Sequence, residues 1–199
     1  MNWLTLLPIS ALVAIGVFLL KEAAEYFRRR AADKRKLHAL MMVIARECEI
    51  NYWTIKSLQR ILRELPGDSS TPGQIQLSVE TKPSGRPYAK IVSDDDGLET
   101  HIVIPEVSRE FMSKHLVEVA ALDADMFSVL EPAYDGLAEV AHVRESFVRM
   151  DDSSQLMPRE DYLAGFRGYA LDELDDAERA LSKLYVFCTG RPLVNHRLR

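Results

Sequence analysis

Cysteine is scarce in this chain: Cys48 and Cys188 are the two thiols in 199 residues. Two cysteines cannot build a disulfide framework, and neither has the near neighbours that a zinc site needs. Both fall at apolar positions of helix-like stretches, which suits buried, reduced thiols and agrees with a cytoplasmic body. Glycine and proline are sparse too, nine of each, and there is no internal repeat or low-complexity tract, which excludes fibrous and low-complexity classes. No phosphate-binding glycine loop, nucleophile elbow or redox Cys-x-x-Cys occurs. What remains, 47% hydrophobic and 28% charged residues, is the composition of a folded protein. No cofactor is implied.

Charge is absent where it matters most. Residues 1–20 carry no ionisable side chain. From Trp3 to Leu20 the run is 18 residues, a helix of about 27 Å against a hydrocarbon core of about 30 Å. A cleaved export signal needs basic residues before its apolar stretch and a small-x-small site after it. Here Lys21 and Glu22 follow the run directly. The segment therefore reads as a retained transmembrane anchor over residues 1–21, with Trp3 at the interface and Pro8 in the second turn.

Positive charge gathers immediately behind it. Residues 21–36 hold seven basic side chains (Lys21, Arg28, Arg29, Arg30, Lys34, Arg35, Lys36) against Glu22, Glu25 and Asp33, a balance of +4 within a chain of −5, so residues 37–199 carry −9. Basic residues close to a membrane helix mark its cytoplasmic side. The expected topology is a single pass through an inner or plasma membrane, N-terminus outside and body in the cytoplasm. Residues 22–36 form a basic juxtamembrane helix whose Arg28, Arg29, Arg30, Lys34, Arg35 and Lys36 either only set topology or also touch anionic headgroups. A body at −9 repels phosphate backbones, so nucleic-acid binding is not expected.

The body, residues 37–190, reads as a helical bundle with a small β insertion over about 74–104 and a flexible tail over 191–199. The fold class is mainly α. No Gly or Pro interrupts residues 17–65, which predicts one long helix. Its seam, Leu37, Met41, Ile44, Cys48, Asn51, Ile55, Leu58, Leu62 and Leu65, alternates spacings of four and three as a coiled-coil heptad does. That seam either packs on the chain's own later helices or joins two copies. Its polar member, Asn51, is the kind of residue that fixes register. After the Pro66-Gly67-Asp68 stop, Ile75, Leu77 and Val79 alternate with polar residues and predict a strand. Further strands are expected at Tyr88–Val92 and His101–Ile104, separated by Pro83-Ser84-Gly85 and by Asp94–Gly97. Helices follow over Val107–Leu122, over residues 124–149 with a kink or break at Pro132, and over Arg159–Cys188, with a loop at Asp151–Ser154. Asp123 is placed either to end one helix or to cap the next.

Candidate chemistry is thin. Glu139 and His142 make one E-x-x-H on a helix, the spacing of a di-iron ligand pair, but a full site needs two such motifs and further carboxylates. Both fall on the polar face, while Arg144 sits inside the apolar arc, where it either makes a salt bridge to another helix or snorkels to the surface. Asp68, Glu80 and Lys82 match a degenerate Asp…Glu-x-Lys pattern in which two carboxylates hold Mg²⁺ and the lysine helps activate water. The favoured expectation is a membrane-tethered interaction or scaffold module that binds a protein partner or a second copy, not an enzyme. The alternatives are a membrane-anchored, metal-dependent hydrolase or nuclease-like enzyme using Asp68, Glu80 and Lys82, and a regulator that senses anionic lipid.

Overall fold

The computed structural model describes residues 9–64, 75–83, 85–93, 99–149 and 159–194. Its elements are α1 (Ile9–Arg63), β1 (Ile75–Thr81), β2 (Pro87–Ser93), β3 (Glu99–Val103), α2 (Glu110–Leu122), α3 (Ala124–Val148) and α4 (Arg159–Thr189). The fold is mainly helical with a small three-stranded antiparallel sheet, as the sequence periodicity predicts. The chain divides into two compact units, Met1–Leu40 and Met41–Arg199.

Everything described in the first unit is helix, the N-terminal part of α1. The transmembrane helix expected over residues 3–20 is not among the described elements: no helix of the described residues is long and apolar enough to cross a membrane. Trp3 and Pro8 lie outside the described residues. The described apolar run starts at Ile9, and 18 residues counted from there already take in Lys21, Glu22 and Glu25. From Ile9 to Leu20 a helix rises only about 18 Å.

In the second unit α1 packs one face. Ile44, Cys48, Asn51, Ile55, Leu58 and Leu62 are all buried, so this stretch of the heptad seam is occupied within the chain itself; Leu65 lies outside the described residues. Helix α4 contributes Ala170, Leu174, Ala177, Leu181 and Leu184, and α3 contributes Met126, Leu130, Ala133, Leu137, Val140 and Phe147. These are the three- and four-residue spacings that put one stripe of a helix into a core. Helix α4 runs antiparallel to α1, as their polar contacts show. Tyr185 donates to Glu49 (3.1 Å), Lys56 pairs with Glu178 (2.7 Å), and Gln59 donates to Asp175 (2.7 Å).

One boundary differs from the sequence pattern. Helix α2 begins at Glu110 instead of Val107, because residues 105–109 are held in a non-helical path by side chains of α1 and α3. Pro132 does not break α3, which continues as one element to Val148. Asp123 serves both neighbours: its backbone N–H closes α2 onto Val119 O, and its carboxylate accepts from Met126 N (2.8 Å) to cap α3. In the tail Leu193 is buried, and residues 195–199 lie outside the described residues. The turn at Asp94–Gly97 and the loop at Asp151–Ser154 lie outside the described residues.

The sheet is a meander in the order β1-β2-β3. Register pairs Val79 with Ala89 and Ala89 with Ile102 on one face, and Glu80 with Tyr88 and Tyr88 with Val103 on the other. Ala89, Ile91 and the following Ile104 are buried, so the first face is turned inward. Gly85, at φ +77°, closes the β1–β2 hairpin by donating its N–H to Lys82 O (2.8 Å).

Gly136 on α3 marks a close helix crossing. A Cβ there would stand 3.1 Å from Ala177 Cα and 3.3 Å from its Cβ, so α3 and α4 touch almost backbone to backbone. Gly136→Val is expected to destabilise the protein by about 1–3 kcal/mol through overpacking. Chemical denaturation of the full chain checks it; an unchanged midpoint would mean that the two helices do not meet at this point.

Candidate functional site

Four polar side chains are buried in α1: Glu47, Asn51, Thr54 and Gln59. Three of them face the connector that leads from β3 into α2. Glu47 is 1% exposed, and its carboxylate accepts from Ser108 Oγ (2.8 Å), Phe111 N (3.2 Å) and Met112 N (2.8 Å). The last two are free N–H groups of the first turn of α2, so Glu47 caps that helix from another element. Asn51 pairs with Ser108 twice, donating to its carbonyl (2.6 Å) and accepting from its N–H (2.9 Å). Thr54 Oγ1 donates to Glu106 O (3.1 Å), and Arg144 Nε of α3 donates to Pro105 O (2.7 Å). Arg144 thus meets a backbone carbonyl of the connector, where the sequence pattern predicts a salt bridge to another helix or snorkelling. Sequence reasoning found Asn51 and Arg144 and missed Glu47, Thr54 and Gln59. A signal existed: Glu47, Asn51 and Thr54 repeat the seam's spacing of four and three along its flank.

The Asp…Glu-x-Lys candidates are only partly brought together. Glu80 and Lys82 lie on the exposed face of the sheet and converge on one residue, Tyr88: the Tyr88 hydroxyl donates to Glu80, and the Lys82 ammonium stands 5.2 Å from the ring centroid. The carboxylate that accepts its proton holds the Tyr88 phenol above its ordinary range. Asp68 lies outside the described residues. Beside this group Lys90 pairs with Glu99 (2.9 Å), and the His101 ring stands 5.4 Å from that of Tyr88. The Lys90 ammonium lowers Glu99 and is itself raised by it. The result is a ladder of cross-strand pairs on an open surface.

The E-x-x-H pair is exposed on α3, and Glu139 accepts from Tyr169 OH of α4 at 3.4 Å. Among the described residues no three His, Cys, Asp or Glu side chains are placed to hold a metal ion. The six basic candidates Arg28, Arg29, Arg30, Lys34, Arg35 and Lys36 are all exposed. Arg29 reaches back to Glu25 (3.3 Å), and Arg35 Nε donates to Ala31 O (3.2 Å).

Both thiols are free, with Cys48 buried. Burial pushes Cys48 well above the ordinary thiol range and Cys188 up to about 12, so at neutral pH both stay protonated. A disulfide reagent at pH 8 is expected to modify the native chain at least about a hundredfold more slowly than free cysteine, and to titrate both thiols at once in denaturant. Fast modification of the native chain would contradict this burial.

The Glu47 cap is open to a graded test. Glu47→Ala strands the buried N–H of Met112 and the part-buried N–H of Phe111 and should cost about 2–4 kcal/mol, whereas Glu47→Gln, which keeps an acceptor oxygen, should cost less. Thermal unfolding of the two variants gives the order; equal stabilities would show that the contacts carry no weight. No family model, no curated protein and no solved structure matches this chain.

Proposed function

We propose that the chain is a membrane-tethered interaction or scaffold module. In this reading residues 3–20 enter an inner or plasma membrane once, with the N-terminus outside. Residues 21–199 lie on the cytoplasmic side, where the helical body meets a protein partner or another copy.

One observation carries the proposal. Leu12, Val13, Ile15, Val17, Phe18, Leu19 and Leu20 are all exposed, from 41% at Leu12 to 72% at Leu20. At about 100° per residue these side chains point in every direction around the helix. A helix lying flat in a membrane surface keeps a polar side, and this stretch has none. Its natural solvent is hydrocarbon, and the described helix supplies twelve of the 18 residues in the apolar run. The basic residues behind it give the orientation.

The scaffold half of the reading draws on the body. Ile44 to Leu62 of the seam are buried inside the chain, so a partner meets other surfaces, and Met42, Val43 and Trp53 are exposed on α1. The enzyme reading based on Asp68, Glu80 and Lys82 has weaker support. Glu80 and Lys82 are both engaged with Tyr88 on an open sheet face, and an acidic body disfavours a nucleic-acid substrate.

Alkaline carbonate extraction of cell membranes containing the full chain is expected to leave it in the pellet. Protease added to inverted vesicles should digest the body, while right-side-out vesicles protect it. Release into the carbonate supernatant would overturn the tether. Cross-linking in the intact membrane should yield a discrete larger species; a strictly monomeric chain would overturn the interaction role.

A further inference from the structure

We propose that residues 21–36 bind anionic phospholipid headgroups through two basic ridges of α1, Lys21–Arg28–Arg35 and Arg30–Lys34, so that the tether selects bilayers rich in acidic lipid. The inference rests on the membrane reading above and adds the class of lipid.

The placement of charge around the helix supports it. Lys21, Arg28 and Arg35 recur every seven residues, which keeps them within a sector of about 40°, and Arg30 and Lys34, four apart, share a second sector. The three carboxylates, Glu22, Glu25 and Asp33, gather on a third, where Arg29 pairs with Glu25. The five ridge residues are exposed along their helix faces. Negative charge thus gathers on one side, where Arg29 meets Glu25, which leaves two cationic columns toward the surroundings.

Depth fits as well. Tyr26 and Phe27 are exposed at 60% and 66% and stack edge to face with centroids 5.8 Å apart. They sit about 10 Å along the helix from Leu20, where interfacial aromatic residues are expected at the headgroup level. Arg28 and Arg30 start a few ångströms beyond them. Side chains on a helix tilt toward its N-terminus, which for this segment is the direction of the bilayer. The Arg28 and Arg30 guanidinium groups therefore reach back toward the phosphates, where an arginine fork takes two oxygens at once, while Lys34 and Arg35, about 20 Å along the helix from Leu20, add to the attraction through their field.

The test uses the full chain, reconstituted from detergent into phosphatidylcholine vesicles that carry trace spin-labelled phosphatidylglycerol or spin-labelled phosphatidylcholine. Electron paramagnetic resonance separates lipid held at the protein from free lipid. A several-fold preference for phosphatidylglycerol is expected, fading toward unity near 1 M sodium chloride as the Debye length falls to about 3 Å. The triple variant Arg28→Gln, Arg30→Gln, Arg35→Gln should lose most of the preference. The variant Glu22→Gln, Glu25→Gln, Asp33→Asn should keep or raise it. Equal association of the two lipids with the wild-type chain would overturn the lipid class and leave the tether standing. No held lipid of either kind would overturn the tether itself. Inorganic phosphate abolishing the preference more strongly than chloride at matched ionic strength would place the ligand in solution and also overturn the inference.

Discussion

A carboxylate buried at the end of a helix governs how the body is put together. Removing Glu47 from water carries a desolvation cost of several kcal/mol that only well-placed donors offset. The donors it finds are Ser108 Oγ and the N–H groups of Phe111 and Met112, together with the positive end of the α2 dipole. None of these belongs to α1, so α1 and the start of α2 must come together in one way for the cost to be met. Once α2 is fixed at its first turn, Asp123 passes the constraint to α3 within a single residue, ending one helix and capping the next. On the other side of the connector, Ile104 is buried directly after β3, so the sheet is fixed from the same point.

Apolar stripes alone would not settle these positions. Leucine-rich faces slide past each other by a turn at modest cost, whereas a buried polar group accepts few partners, a use well attested in helical assemblies. Asn51 acts here as one strand of a ladder would, offering a donor and an acceptor to the same backbone residue, Ser108. Gln59 and Lys56 do the corresponding work toward α4, meeting Asp175 and Glu178. The polar flank of α1 sets register and its apolar seam supplies burial. The two share a helix because both repeat every three or four residues.

That division explains what could be read from residues alone. The four helices and three strands follow from periodicity and from turn residues such as Pro83 and Gly85. Antiparallel pairing then follows from short connections. The start of α2 could not be read, because Val107 and Ser108 suit a helix locally, and what withholds them is a contact with Glu47 and Asn51 more than fifty residues away in the sequence. Of the kink or break that Pro132 signals, the break does not occur, because one missing N–H on an exposed side of α3 is a local loss that the burial of Leu130, Ala133 and Leu137 on the other side outweighs. Among the candidate site residues, Glu80 and Lys82 share a face by the two-residue period of a strand. Their common neighbour Tyr88 required the β1–β2 register, which a sequence pattern leaves open.

Helix α1 has continuous hydrogen bonding but three different reasons to be helical. From Met41 onward one face is buried by the body, and the usual amphipathic argument suffices. Between Lys21 and Lys36 the residues are good helix formers on propensity alone, many of them Ala, Glu, Lys and Arg. From Ile9 to Leu20 neither reason applies, since the exposed side chains are large, apolar and spread around the whole circumference. Among the described residues of its own unit nothing covers them. The apolar circumference of this stretch is therefore left to whatever surrounds the chain, because a helix that is apolar all round calls for apolar surroundings on every side.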